Sequence, residues 1–167
     1  PAALMELNIQ EFREGAKWAL GQKKLVTELA ALTMDSLSRQ EWITLFWIYS
    51  DSLHSMGAWI QQLWAESLAK KNSRSGREAP RVSTPVPARG ASDQHSILQQ
   101  VAEGARDKWV WIVRSRRSES SEVVLKREAL RSSVSYSGHQ LGEILAAEAR
   151  ATYQALSENE ISSLILE

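Results

Sequence analysis

WITLFWIYS, Trp42 to Ser50, is a nearly continuous apolar run rich in aromatic and β-branched residues. It reads as a strand buried on both faces, the kind found in parallel sheets that carry helices above and below. Ser50 and Asp51 punctuate the run. A long helix is predicted from about 52 to 71, with Leu53, Met56, Ile60, Leu63, Trp64 and Leu68 as its apolar stripe. KWVWIVRS, Lys108 to Ser115, reads as a second apolar strand, and ISSLILE, Ile161 to Glu167, as the last one.

The segments between these strands fill in the pattern. KKNSRSGREAP, Lys70 to Pro80, is a polar, basic loop, and RVSTPVPARG, Arg81 to Gly90, is extended. Pro85 and Pro87 forbid helix there, and a short strand from Val82 to Val86, ending at Pro85, is the expectation. In GASDQHSILQQ, Gly90 to Gln100, Ser92 is a candidate N-cap, and Ile97, Leu98 and Val101 recur at helical spacing. Asp93, Gln94 and His95 then fall in the first turn of a helix, where backbone N–H groups and the dipole favour anions. RRSESSE, Arg116 to Glu122, reads as a loop, Val123 to Leu125 as a short strand, and Ser137 to Asn159 as a long helix. Its Leu141, Ile144, Leu145, Glu148 and Ala151 lie in phase. Ahead of the first strand, Asn8 should cap an amphipathic helix with Ile9, Phe12, Ala16 and Leu20 on one face and Glu11 at the capping-box position. A second helix is expected over 24–37. Strands alternating with helices predict an α/β layer fold with a mostly parallel sheet. Residues 1–40 are leading helices and 41–167 the α/β domain, the whole forming a single domain. The β-strand at the end of the chain suggests a piece of something longer.

Composition bounds the function. The 167 residues fit one domain with a sizeable core, and 43% hydrophobic with 24% charged residues is ordinary for a globular protein. Lys plus Arg equals Asp plus Glu at 20 each, so no global charge argues for nucleic acid or a membrane surface. No apolar run reaches the ~18 residues of a membrane span. Without cysteine there is no disulfide, thiolate metal site or Cys nucleophile.

Few residues have a spacing that suggests chemistry. Gln62 and Glu66 are i,i+4 neighbours on the long helix, beside its apolar stripe. A carboxylate there is expected to be partly desolvated, which raises its pKa and suits a general base. The alternative is a carboxylate at the edge of a core-facing helix, reaching out to water. His95 likewise is either a site residue or a surface histidine in turn one. His54 and His139 are isolated and read as surface or supporting residues. Arg74, Arg77, Arg81 and Arg89 form a basic run, but Glu78 interrupts it and no aromatics interleave, so it reads as a solvated loop. The Trp residues on strands and helices are core or interface. No His/Asp/Glu cluster has metal-ligand spacing, so neither metal nor cofactor is expected.

YSD (Tyr49–Asp51), QLWAESLAK (Gln62–Lys70), ARGASDQHSILQ (Ala88–Gln99), EGARDK (Glu103–Lys108) and LGEILAAEARATYQAL (Leu141–Leu156) occur in that order. Together they resemble the glucose-6-phosphate isomerase family, specifically its C-terminal sugar isomerase (SIS) domain, a three-layer αβα sandwich. The resemblance implies an aldose–ketose isomerase that interconverts glucose 6-phosphate and fructose 6-phosphate through a cis-enediol. It implies Glu66 as the catalytic base, His95 as the group that opens the sugar ring, and Gln62 as a residue lining the substrate site. It also implies a cytoplasmic homodimer in which the histidine serves the partner's site. The departures are specific. Ala69 stands where the family's ESxGK motif has Gly. The family's phosphate-gripping Ser/Thr loop, its Gly-Gly-Arg motif and its QxGVExxK helix with the catalytic Lys are not in these residues. The 167 residues alone are therefore expected to be poorly active. The rival reading is a non-catalytic SIS-type module that binds a sugar phosphate or a partner.

Overall fold

The computed structural model describes residues 8–115, 124 and 138–167. The chain divides into two compact units, Pro1–Ser38 and Arg39–Glu167. The first holds α1 (Ile9–Gly21) and α2 (Lys23–Ser38). The Asn8 side chain accepts from the backbone N–H groups of Gln10 and Glu11 and donates to Glu11 Oε1 at 2.8 Å. The expected cap is thus present, with Glu11 reaching the Asn8 amide. No residue of α1 is buried, and Phe12, Trp18 and Leu20 are exposed.

The second unit carries a sheet with β1 (Ile43–Tyr49), β2 (Thr84–Arg89), β3 (Lys108–Arg114) and β4 (Ser163–Leu166) in the order β2-β1-β3-β4. Every pairing is parallel. Helices α3 (His54–Leu68), α4 (Gln94–Glu103) and α5 (Leu141–Glu158) connect the strands. WITLFWIYS supplies β1, an inner strand buried at six of its seven positions. Alternate side chains go to opposite faces. Leu45, Trp47 and Tyr49 join Ala88, Val110 and Ile112 in a core with Val101 of α4 and Ala149 and Leu156 of α5. On the other face Phe46 meets the Trp64 ring of α3 edge-on, 5.5 Å between centroids, and Trp111 lies 6.4 Å from the same ring. Gly57 lets α3 lie against that face, because a Cβ there would come within 3.0 Å of Pro87 and 3.1 Å of Ile48. Helix, sheet and helix make a three-layer α/β sandwich.

Three expectations need correction. β2 does not stop at Pro85; it runs through both prolines to Arg89. It is the outer strand beside β1, and its inward donors are at even positions: Thr84 N–H donates to Trp42 O and Gly90 N–H to Ile48 O. Residues 85 and 87 are odd, so the ladder loses no donor to proline. The outward N–H of Arg89 donates to Asp93 Oδ2 at 2.7 Å. Second, α3 is shorter than expected and differently turned. Leu53, Met56, Gly57, Ile60 and Trp64 face inward, while Leu63 and Leu68 stay exposed. Third, Ser92 does not cap α4. Its hydroxyl donates back to Arg89 O, and the position before the helix is Asp93, which makes no side-chain cap bond. The 116–122 loop and the Val123–Leu125 strand lie outside the described residues, save for Val124, which bridges Gln140.

Candidate active site

The chain leaves β1 toward α3 on one face of the sheet, and leaves the neighbouring β3 toward α5 on the other. In an open parallel sheet the crevice beyond the carboxyl ends of two such strands is where ligands bind. Tyr49, Ser50 and Asp51 end β1 there, and Arg89, the turn 90–93 and the start of α4 end β2 there.

The last residues of β1 shape that turn. A Cβ on Gly90 would overlap the Tyr49 ring, so only glycine lets the chain pass over it. The Tyr49 hydroxyl is 2.9 Å from Thr152 Oγ1 of α5, and Gln94 Nε2 donates to both oxygens, at 2.7 and 2.9 Å. The Arg89 guanidinium reaches Asp51 Oδ1 at 2.6 Å. Of the three residues expected in the first turn, Asp93 folds back on Arg89, Gln94 points inward, and His95 is exposed.

Glu66 lies elsewhere. Gln62 Nε2 donates to Glu66 Oε1 at 3.1 Å, and both side chains are exposed. The expected partial desolvation of Glu66 is therefore not found. Trp64 turns inward, and two residues on, about 200° around the helix, the side chain faces away from the sheet. Along α3, Gly57 lies beside Pro87 and Gln61 Nε2 donates to Pro85 O at 3.3 Å, so the helix descends toward the amino end of β2. Glu66, more than a turn further, is at the amino-end side, while His95 is at the carboxyl end. The two are at opposite ends of the α/β unit and are not brought together. Ala69 closes α3 with φ −77, a conformation that does not call for the glycine of the ESxGK pattern. His54 and His139 are exposed.

Thr152 and Tyr49 were not singled out by the sequence reasoning. A signal existed for Thr152: it is a polar residue in phase with Leu145, Ala149 and Leu156 on the buried stripe of α5. Burial raises the Tyr49 phenol above its ordinary 10.0, hydrogen bonds with Gln94 and Thr152 pull it down, and the charge of Glu148 pushes it up again. Above the ordinary value the unfolded chain releases a proton that the folded chain still holds. The stability held by the neutral phenol is then full below pH 10.0 and lost as pH climbs toward the raised value. Urea midpoints of Tyr49→Phe should accordingly fall less steeply than those of the parent above that pH. Parallel curves for the two proteins would contradict the burial effect.

Among the described residues no three His, Asp or Glu side chains converge as a metal site, and no helix is long and apolar enough to cross a membrane. No protein-family profile matches the chain. Individual relatives do. The glucose-6-phosphate isomerase of Rubrobacter xylanophilus is 33% identical over 165 residues, 94% of this chain. That of Carboxydothermus hydrogenoformans is 32% identical over 93% of it. The chain belongs to the glucose-6-phosphate isomerase family. It spans 36% and 35% of the lengths of those two isomerases. Solved structures agree with the glucose-6-phosphate isomerase fold. A hypothetical protein from Thermus thermophilus superposes with a TM-score of 0.67 at 32% identity, over 81% of this chain and 32% of its own. A glucose-6-phosphate isomerase from Chlamydia trachomatis gives 0.50 at 25% identity, over 69% and 21%.

Proposed function

We propose that these residues form part of an aldose–ketose isomerase acting on glucose 6-phosphate and fructose 6-phosphate. Interconversion removes a proton next to a carbonyl and returns it to the neighbouring carbon. One carboxylate can do both on one face of a cis-enediol, and Glu66 is assigned that role, with Gln62 lining the substrate site. The closed sugar hides its carbonyl, so a group that titrates near neutrality must first move a proton at the ring oxygen; His95 is assigned that step. The observation that carries the reading is the 3.1 Å Gln62–Glu66 pair on the open face of α3, in a chain whose relatives are glucose-6-phosphate isomerases. No metal or cofactor is invoked. A phosphate grip and a cation for the developing enediolate have to come from outside these 167 residues. The segment alone should consequently fall far below the ~10 per second typical of enzymes.

The opposite-end positions of Glu66 and His95 support a homodimer in which each site takes Glu66 from one chain and His95 from the other. Complementation tests this on the polypeptide at its full natural length. Glu66→Gln and His95→Ala should each be nearly inactive. Mixed and allowed to exchange subunits, they should recover about a quarter of parent activity, since half the dimers would hold one intact site of two. No recovery in demonstrably mixed dimers would put both groups in one chain's site. Full activity of both single variants would remove the two assigned roles, and a full-length parent that binds the sugar phosphate without turnover would leave the binding-module reading. His95→Ala should slow cyclic substrate far more than substrate supplied in open-chain form. Equal losses on the two would remove the ring-opening role.

A further inference from the structure

Resting on the reading of His95 as the ring-opening group, we propose that Tyr49 and Thr152 position it through Gln94, in place of the missing helix cap. A helix start leaves several backbone N–H groups without intrahelical partners, and a side-chain oxygen at the N-cap ordinarily holds the first turn. α4 has no such bond: Asp93 gives its carboxylate to Arg89 N–H and Ser92 gives its hydroxyl to Arg89 O. The N–H groups of Gln94, His95 and Ser96 turn instead to the carbonyls of Ala91, Ser92 and Asp93, at 3.0, 3.4 and 3.2 Å, so the turn that carries His95 is closed by backbone bonds without a side-chain cap.

The substitute comes from the core. Gln94, adjacent to His95, crosses to β1 and α5 at once, with 2.7 Å to the Tyr49 hydroxyl and 2.9 Å to that of Thr152, while those hydroxyls bond each other at 2.9 Å. Tyr49 is 3% and Thr152 4% exposed, so the anchor is fixed by packing. The Tyr49 ring beneath Gly90 and the Arg89–Asp51 pair fix the preceding turn from the same strand end. A turn tied at three points to one strand leaves His95 little freedom of direction. A group that exchanges a proton with a ring oxygen needs that constraint, because proton transfer requires hydrogen-bond reach. Tyr49 and Thr152 touch no reacting atom in this scheme; they are positioning residues.

The chain has three histidines, and His54 and His139 serve as internal controls. Tyr49→Phe and Thr152→Val remove one hydroxyl each with little change of shape. Thr152→Ser keeps the hydroxyl. Gln94→Ala cuts the tether from outside the core, so the outcome does not depend on how well the core variants fold. Amide hydrogen exchange over Gln94–Leu98 should rise about five-fold or more in the first two and in Gln94→Ala. The His95 ring resonances should move toward those of an unstructured peptide, with His54 and His139 unmoved, and Thr152→Ser should match the parent. At full natural length kcat on cyclic substrate should fall with KM kept, and open-chain substrate should be spared. Unchanged His95 resonances and α4 exchange, a uniform rise across every helix, or a loosened α4 with kcat unaltered would each overturn the proposal. The exchange and resonance readouts need no turnover, so failure of the tether is separable from failure of the isomerase reading, which the His95→Ala assay tests.

Discussion

Glu66→Gln, in the polypeptide at its full natural length, is expected to lower turnover by ~100- to 10,000-fold while KM stays near the parent value. Gln keeps the shape, the helix propensity and a partner for Gln62, but it cannot take a proton at neutral pH. The side chain is exposed and packs against no core residue, so the substitution should leave the fold intact. Loss of kcat without loss of affinity marks a group acting on the transition state. The direct measurement is exchange of the carbon 2 proton of bound substrate with solvent, in deuterated water. Ring opening through His95 should survive, while exchange should collapse. Exchange at the parent rate would mean that another residue is the base.

Trp47→Ala is expected to cost about 3–5 kcal/mol. Trp47 is fully buried in the middle of β1, beside Tyr49 with 6.3 Å between ring centroids. Truncation leaves a cavity in the layer that α4 and α5 cover. Domain stabilities run only about 5–15 kcal/mol, so the variant should be near unfolding. Trp47→Phe gives the contrast. The indole N–H is buried and finds no acceptor among the described residues, so Phe keeps most of the apolar bulk and removes an unsatisfied donor. Its urea midpoint should lie close to the parent's, with an unchanged slope. A loss below about 1 kcal/mol in Trp47→Ala would show that the layer collapses around the gap without penalty.

The order and type of the elements among the described residues were legible in the chain because each signal is local. A run such as Trp42–Ser50 has no face to offer water, so an inner strand of a covered parallel sheet follows from it. The paired motifs around Glu66 and His95 were legible as a family resemblance, and the relatives bear out the family. Proline misled at β2, because its cost depends on whether a residue's N–H points to a neighbour or to solvent. That is a matter of register against β1, which no single segment records. The facing of Glu66 was misjudged for a similar reason: the stripe of α3 is broad, and only contact with Pro87 and Trp111 decides which edge of it turns inward. Ser92 matched the pattern of a cap, but capping needs a backbone geometry that the Arg89–Asp93 bond had already taken. Thr152, 103 residues from Tyr49, shows the remaining limit. Periodicity marked α5 as a helix with a core face but put that face slightly off: of the stripe read from the sequence Leu141 and Ala151 are exposed, and Gly142, Ala149, Thr152 and Leu156 are the buried residues. Which hydroxyl meets which amide there depends on how strands and helices of distant sequence come together, and that was decided by tertiary packing alone.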